Sequence, residues 1–494
     1  MSPPVTICTR CNRAVPRRGV AWPEGFVCNR CYQQATRRHG PCPDCGRHRL
    51  LPGLHGNTPC CADCSGIDKD FACTRCGQED EPHRKGLCAR CCLREDLTAM
   101  LADSTGAIPT TVRPLAEALI AQEHPRSALI WLRNPEVVAL LQGFADGSLP
   151  MTHGSFAAQA NRRTANHLRD LFVHHGLLPP RDRTLLGFQA WLERTLAAYP
   201  PATACLLAGF ANWHHLRQMR ALAQQGQLTP GRAATARQEI TTAAQLLAHL
   251  QDNGIAPSDL RQAHIDAWLA QGPTTRYTAR TFVVWAVRTR RLPKVDFPHR
   301  AGRTRPVLPE DQRLQLLRRG LTDPAWAPAW IRLAAVLLLL YGQPTTRISR
   351  LRLSDITDAG EHTAIDLGNQ PAVLPPAVAD LLAEHLADRP NTSTATNRNS
   401  PWLFPGARAG QPISADHLMN QLRKHGVELQ AARNGALRQL LLDMPPAIAS
   451  KVLGYSANVT EKHARHAAQN WNSYPATRKL DNEPDRALER SGGS

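Results

Sequence analysis

The sequence predicts a mainly α-helical chain with a small β element, preceded by a cysteine-rich head. Three observations carry this reading. Fourteen of the fifteen cysteines lie before Thr98, most of them in CxxC pairs. Between residues 101 and 299 apolar side chains recur at helical spacing, as in Leu246, Leu247 and Leu250 and again in Ile265, Trp268 and Leu269. In the last third, Thr363–Leu367 and Ala372–Leu374 read as two short strands ahead of a Pro-started helix, Pro376–Leu386. At 494 residues the chain exceeds one ordinary core, so several domains are expected.

The head comes first. Its CxxC pairs are Cys8/Cys11, Cys28/Cys31, Cys42/Cys45, Cys61/Cys64, Cys73/Cys76 and Cys88/Cys91. Taken two at a time they form three repeats over residues 1–97, starting at 8, 42 and 73. Two thiolates in CxxC spacing grip one side of a tetrahedral ion and the second pair closes the other, so each repeat reads as a zinc-ribbon-like module with four cysteine ligands. With all four positions taken by protein, the expected role is structural, with about three Zn²⁺ ions per chain. Gly46 and Gly77 follow the second cysteine of their pairs and permit a tight knuckle. Disulfides need an oxidising compartment, and the N-terminus MSPPVTICTR carries no export pattern. Iron–sulfur ligation stays open from the cysteines alone, although the paired spacing favours zinc. Cys60 and Cys92 adjoin expected ligands, which leaves the register open by one residue there. Cys205 reads as a small core residue.

The charge balance is strongly basic. Lys+Arg is 59 against 41 Asp+Glu, a net +18, and 52 of the basic residues are arginine. Residues 1–100 hold +5 of this, residues 101–299 hold +7 and residues 300–494 hold +6. A Zn²⁺ held by four thiolates falls two charges short of neutrality, so three filled sites would leave the head close to neutral. The basic surface then belongs to the rest of the chain and implies a polyanionic partner such as nucleic acid. The longest apolar run, Leu333–Tyr341, is nine residues and reads as a core helix; no membrane segment is expected.

The middle reads as two helical blocks, 112–225 and 232–292, divided by the Pro/Gly cluster Gly226–Gly231. The second ends in Arg276, Arg280, Arg288, Arg290 and Arg291 around Phe282 and Trp285. At helical spacing Arg276, Arg280 and Arg291 share a face suited to phosphates. The same charge run also suits a solvated helix surface. Residues 293–307 read as a basic linker.

The last third carries motifs at family level. Leu337–Ile356, LLLLYGQPTTRISRLRLSDI, resembles the first signature box of tyrosine recombinases of the integrase/Xer type. Trp402–Gly406 (WLFPG), Arg433–Leu442 (RNGALRQLLL) and Leu453–Ser456 (LGYS) resemble later segments of the same family. The resemblance spans residues 306–478, preceded by a helical block in the order of the family's core-binding domain; residues 479–494 read as a disordered tail. It implies a fold in which two arginines hold the scissile phosphate, a tyrosine attacks it, and a lysine and histidine move protons. Arg347 and Arg438 match the two arginines. The lysine is missing, since residues 357–400 contain none and Asn369 and Gln370 occupy the turn. Gly435 stands where a histidine is usual, Tyr455 replaces the histidine of the third box, and Arg350 stands where an acidic residue is common. His463 and Ala464 lie near the nucleophile position and Tyr474 follows further on.

The resemblance therefore implies a double-stranded-DNA-binding protein of this type, gripping DNA as a clamp, with weakened or lost strand exchange. Its candidate site comprises Arg347, Arg438, Tyr455, His463 and Tyr474. An alternative is an active, divergent recombinase using Tyr474, with Lys451 or Lys462 as acid. Another is a zinc-stapled protein-interaction adaptor or helix-turn-helix regulator, in which Ala447–Val452 and Asn458–His466 pair and Lys462, His463, Arg465 and His466 face DNA. Further expectations are a homo-oligomer on DNA, a protein partner for the zinc repeats, and a cytoplasmic, nucleoid-associated location.

Overall fold

A computed structural model describes residues 5–16, 19–300, 306–358, 360 and 362–471. Tyr474, the expected tail 479–494 and residues 301–305 of the expected linker lie outside the described residues. Helices dominate, and the strands are short and antiparallel, in agreement with the mainly α reading. Among the described residues no helix is long and apolar enough to cross a membrane. Two compact units form: Met1–Leu178 with Arg305–Ser494, and Pro179–Thr304.

Each repeat of the head is built from hairpins and ends in a helix. The first pairs Val5–Ile7 with Ala14–Pro16 and Gly19–Trp22 with Gly25–Cys28. The second pairs His39–Pro41 with His48–Leu50 and Gly53–His55 with Thr58–Cys60. The third keeps one hairpin, Pro82–Arg84 with Leu87–Cys88, and an Ala72–Glu79 bridge. The repeats are locked together by polar contacts. Arg10 donates to the Pro52 carbonyl at 2.7 Å, Arg49 pairs with both Asp63 and Glu79, and Lys69 reaches Glu81 at 3.1 Å.

The third repeat does not end at residue 97. Its helix, Ala89–Leu101, buries Leu93, Leu97 and Leu101, spaced at i, i+4 and i+8 along one face. Those leucines join one core with Leu115, Leu119, Leu140, Phe144, Phe156, Leu168 and Phe172. The stretch expected as one block, 112–225, is thus divided at Leu178/Pro179. Its first part shares a core with the third metal repeat. Its second part packs with residues 230–292 around Phe188, Phe210, Ile240, Trp268 and Phe282. The apolar surface of each part is spent on a different partner, and spacing alone does not show that.

In the last third, Ala329–Tyr341 forms the central helix, buried almost throughout. Gly342, at φ +65°, ends it, and the short helix Thr345–Ile348 follows. The expected strands appear as Thr363–Asp366 and Pro371–Val373, joined by a third, Ile356–Asp358, in chain order along the sheet. Ile365 faces Ile356 on one side and Ala372 on the other. Pro376–Ala387, Ala415–Lys424, Leu429–Asp443, Pro446–Leu453 and Ala457–Trp471 complete the layer of helices. Within this unit the loop after residue 388 meets the helices before Leu178. Gln122 accepts from the Ala395 amide at 2.8 Å, His175 bonds the Ala395 carbonyl at 3.1 Å, and Arg408 pairs with Asp170 at 3.1 Å.

Candidate metal centres and a candidate nucleic-acid interface

The twelve expected ligands converge in three sets: Cys8, Cys11, Cys28 and Cys31; Cys42, Cys45, Cys61 and Cys64; and Cys73, Cys76, Cys88 and Cys91. Within each set the sulfurs lie within 4.8 Å of one another. The register left open by the sequence resolves to Cys61 and Cys91. Cys60 is buried beside the second set, and the Cys92 sulfur instead contacts the carbonyls of Arg84 and Leu87.

The same local geometry builds all three sets. The first pair sits on a knuckle in which the residue four beyond the leading cysteine adopts positive φ: Asn12 at 51°, Gly46 at 69° and Gly77 at 70°. Asn12 is the counterpart the sequence reading missed. Asparagine tolerates the left-handed region better than other side chains, and that is the signal that marks it. The second pair opens a helix, with Cys28, Cys61 and Cys88 each preceding its first residue. The amide of each capping cysteine donates to the leading sulfur, at 3.3, 3.4 and 3.2 Å for Cys8, Cys42 and Cys73. Burial pushes these three thiols up, but amide donors outweigh it and hold each down at about 6. Four convergent sulfurs with donors already aimed at the leading one suit a tetrahedral, thiolate-preferring ion.

In the last third the structure brings Arg347, Arg433, Tyr455 and Gln343 together. Arg347 donates through Nη1 to the carbonyls of Leu367 (3.0 Å) and Leu453 (2.5 Å), and through Nη2 to that of Gly454 (2.8 Å). Gln343, fully buried, donates to the Leu453 carbonyl at 3.1 Å. Arg433 donates to the Tyr455 hydroxyl at 2.9 Å, which in turn donates to the Gly342 carbonyl. Both guanidinium groups lie over the Tyr455 ring, at 5.0 Å for Arg433 and 5.9 Å for Arg347. Burial pushes the Tyr455 phenol up against the pull of the arginines, so it stays protonated and donates. Arg438 differs: its Nε is buried and has no hydrogen-bond partner among the described residues. At Gly435, where the resemblance expects histidine, an added Cβ would stand 3.0 Å from the Leu308 carbonyl, so the backbone of 308 takes that space.

Sequence reasoning missed Arg433 and Gln343. Both lie inside the quoted segments, yet nothing in their spacing separates them from the other arginines and glutamines of the chain. Lys451 is exposed, but its carbonyl accepts from the Asn369 amide at 2.8 Å, so its backbone lies against the strand turn. The helices Pro446–Leu453 and Ala457–Trp471 flank the turn at Gly454 as expected. Lys462 and Arg465 are exposed, whereas His463 is 6% exposed and belongs to the packed side of its helix, not to a DNA-facing one.

The arginines of the 276–291 cluster divide too. Arg276 donates to the Trp268 carbonyl and lies over that ring at 4.9 Å. Arg280 donates to the Phe297 carbonyl at 3.1 Å. The helix Arg280–Arg288 ends before Arg290, at φ +56°, and Arg291 folds over Trp285 at 5.8 Å. The helical face expected to join Arg276, Arg280 and Arg291 is therefore not formed; Arg288, Arg290 and Arg291 are exposed beyond it. Cys205 is exposed as well, not the core residue expected.

No family model matches the chain, and no curated protein matches it. Among solved structures it is similar to the XerH site-specific recombinase bound to palindromic difH substrate, at 13% identity and a TM-score of 0.37, over 60% of this chain and 97% of that one. It is also similar to a lambda integrase dimer bound to a COC' core site, at 14% identity and 0.34, over 56% and 96%. A third is the Tn1549 transposon integrase in complex with transposon right end DNA, at 13% identity and 0.34, over 51% and 97%.

Proposed function

We propose that this chain is a double-stranded-DNA-binding protein of the tyrosine recombinase/integrase type in which strand exchange is weakened or lost, with three structural zinc ions in its head. The observation that carries the proposal is the state of Arg347. A guanidinium that clamps a phosphate must offer its fork, and here Nη1 and Nη2 are committed to the carbonyls of Leu367, Leu453 and Gly454. Gly435 and Tyr455 leave the two histidine positions of the family without an imidazole, which removes the expected proton carriers. Arg438 matches the family's second arginine, and its buried Nε has no hydrogen-bond partner among the described residues, so on this reading its guanidinium is the less committed of the two.

DNA binding is supported by the basic surplus, which lies outside the head once thiolate charge is counted, and by exposed Arg288, Arg290, Arg291, Lys462 and Arg465. A nucleoid-associated location and assembly of several copies on DNA follow from that reading. Zinc is supported by four convergent sulfurs per set, with a backbone amide aimed at the leading one in each.

Two measurements test this. Binding to duplex DNA is expected to weaken steeply with salt, because each neutralised phosphate releases counterions; a flat dependence removes the DNA reading. On a nicked suicide substrate no covalent protein–DNA adduct is expected. An adduct that Tyr474→Phe abolishes would establish instead an active enzyme with Tyr474 as nucleophile.

A further inference from the structure

Within the unit Pro179–Thr304, which contains none of the cysteine sets, a second kind of cluster of metal-ligating side chains is found. The helix that starts at Pro201 and ends at Gln224 is interrupted by one π-helical turn, Ala211–Leu216. Such turns are rare and recur at functional positions. This one carries the adjacent histidines His214 and His215. The neighbouring helix Pro230–Asp252 carries Glu239. One nitrogen of each histidine and one oxygen of Glu239 lie within 4.8 Å of one another.

The rings are held in place by packing. Phe210, fully buried, stacks on His214 at 5.3 Å and 16° and meets His215 edge-on at 4.9 Å. The two imidazoles are perpendicular at 4.8 Å. Glu239 is held from its other side, where the Thr281 hydroxyl donates to Oε1 at 3.1 Å. Its Oε2 lies 3.3 Å from Nε2 of His215. That nitrogen is buried and makes no hydrogen bond, because the pair is close but not aligned for one. An imidazole nitrogen and a carboxylate oxygen so placed, with no proton shared between them, are what two ligands of one cation look like.

Their chemistry agrees. Burial holds both histidines below their usual value, His215 at about 4, so both rings are neutral near pH 7 and offer lone pairs. Burial also pushes Glu239 up, which marks a carboxylate short of compensating charge. Among the described residues, Arg232 is the one cation whose charge acts on all three groups, and its Nη2 is engaged by Gln218.

We propose that His214, His215 and Glu239 form a binding site for a divalent first-row metal ion of the zinc class. Two imidazoles and a carboxylate suit such an ion, and three protein ligands leave a coordination position open for water or an anion. The ion ties the π-turn to the helix Pro230–Asp252.

The full chain is dialysed to equilibrium against low-micromolar Zn²⁺, then metal and protein are measured together, for the wild type, His214→Ala and Glu239→Gln. His214 is exposed and Gln retains an acceptor for Thr281, so both variants are expected to keep the wild-type circular dichroism. The wild type is expected to hold one metal equivalent per chain more than either variant. Equal metal in all three chains, or a loss seen only in a variant whose circular dichroism has collapsed while the folded one retains the ion, overturns the site. Because the readout is a difference between chains with the same cysteines, it does not depend on which metal the head carries or on DNA binding.

Discussion

At Gly454 three demands meet. The residue ends the helix Pro446–Leu453 at φ +66°, its carbonyl accepts from Arg347, and the backbone of Leu367 and Gly368 lies against it. An added Cβ would stand 2.5 Å from Nη1 of Arg347 and 2.7 Å from the Leu367 carbonyl. Gly46 has a similar φ of +69° but open space around it. Alanine at 46 is expected to cost about 1 kcal/mol of backbone strain. Alanine at 454 is expected to cost about 2–4 kcal/mol, since strain adds to displaced backbone and lost arginine bonds; urea denaturation of both variants measures the gap. His385 gives a pH prediction. It is fully buried, its Nε2 bonds the Leu403 carbonyl at 2.8 Å, and its ring stacks on Phe404. Burial, helped by Arg389 and opposed by the Leu403 carbonyl and Asp388, holds its folded pKa below the usual 6.5. As pH falls through 6.5 the unfolded chain takes up a proton that the folded chain refuses, so stability drops. His385→Gln is expected to flatten the difference in urea midpoint between neutral and mildly acidic pH. At this scale the turn at the glycine of LGYS was legible. That Arg347 faces main-chain carbonyls was not, because its partners come from residues 20 and 106 positions away.

Among the elements, the helix Ala89–Leu101 couples two parts of the chain. Its first turn carries Cys91 of the third metal set, and its last turns bury Leu97 and Leu101 in the core that includes Leu140, Phe144 and Phe172. A metal ion bound by that set would therefore support helices well downstream in the chain. Stripping metal with a chelator is expected to speed amide exchange through Arg113–Ala121, Pro135–Ala145 and Arg162–His174, measured by mass spectrometry. Exchange in the core helix Ala329–Tyr341 is expected to change less, since its neighbours are residues of the last third. From the sequence the cysteine repeats were expected to end at residue 97 and this helix was not singled out, because a CxxC framework announces ligands and leaves open what the residues after it pack on. The π-turn at 211–216 was likewise hidden: ANWHHL fits an ordinary helical period, and only the packing of Phe210 and Glu239 singles it out.

For the whole molecule, charge and core lead to separate conclusions. The basic surplus and the clustered cysteines are properties of composition and order, and from them alone come the expectations of a metal-binding head, a mainly helical remainder and a polyanionic partner. Two of the three short strands and the flanking helices of the last third were also legible, because each is a local pattern bounded by Pro, Gly or a change of period. How the helices divide between cores was not. Residues 112–178 join the cysteine head and the loop around Ala395, while 188–297 form a core of their own. Nor does order in the chain show which arginines bond main-chain carbonyls, as Arg276 and Arg280 do through one nitrogen each and Arg347 through both Nη atoms. Local periodicity and ligand spacing act over a few residues, so the sequence carries them openly. Desolvation, hydrogen-bond commitment and the sharing of apolar surface depend on segments far apart in the chain, and those were decided only by the tertiary fold.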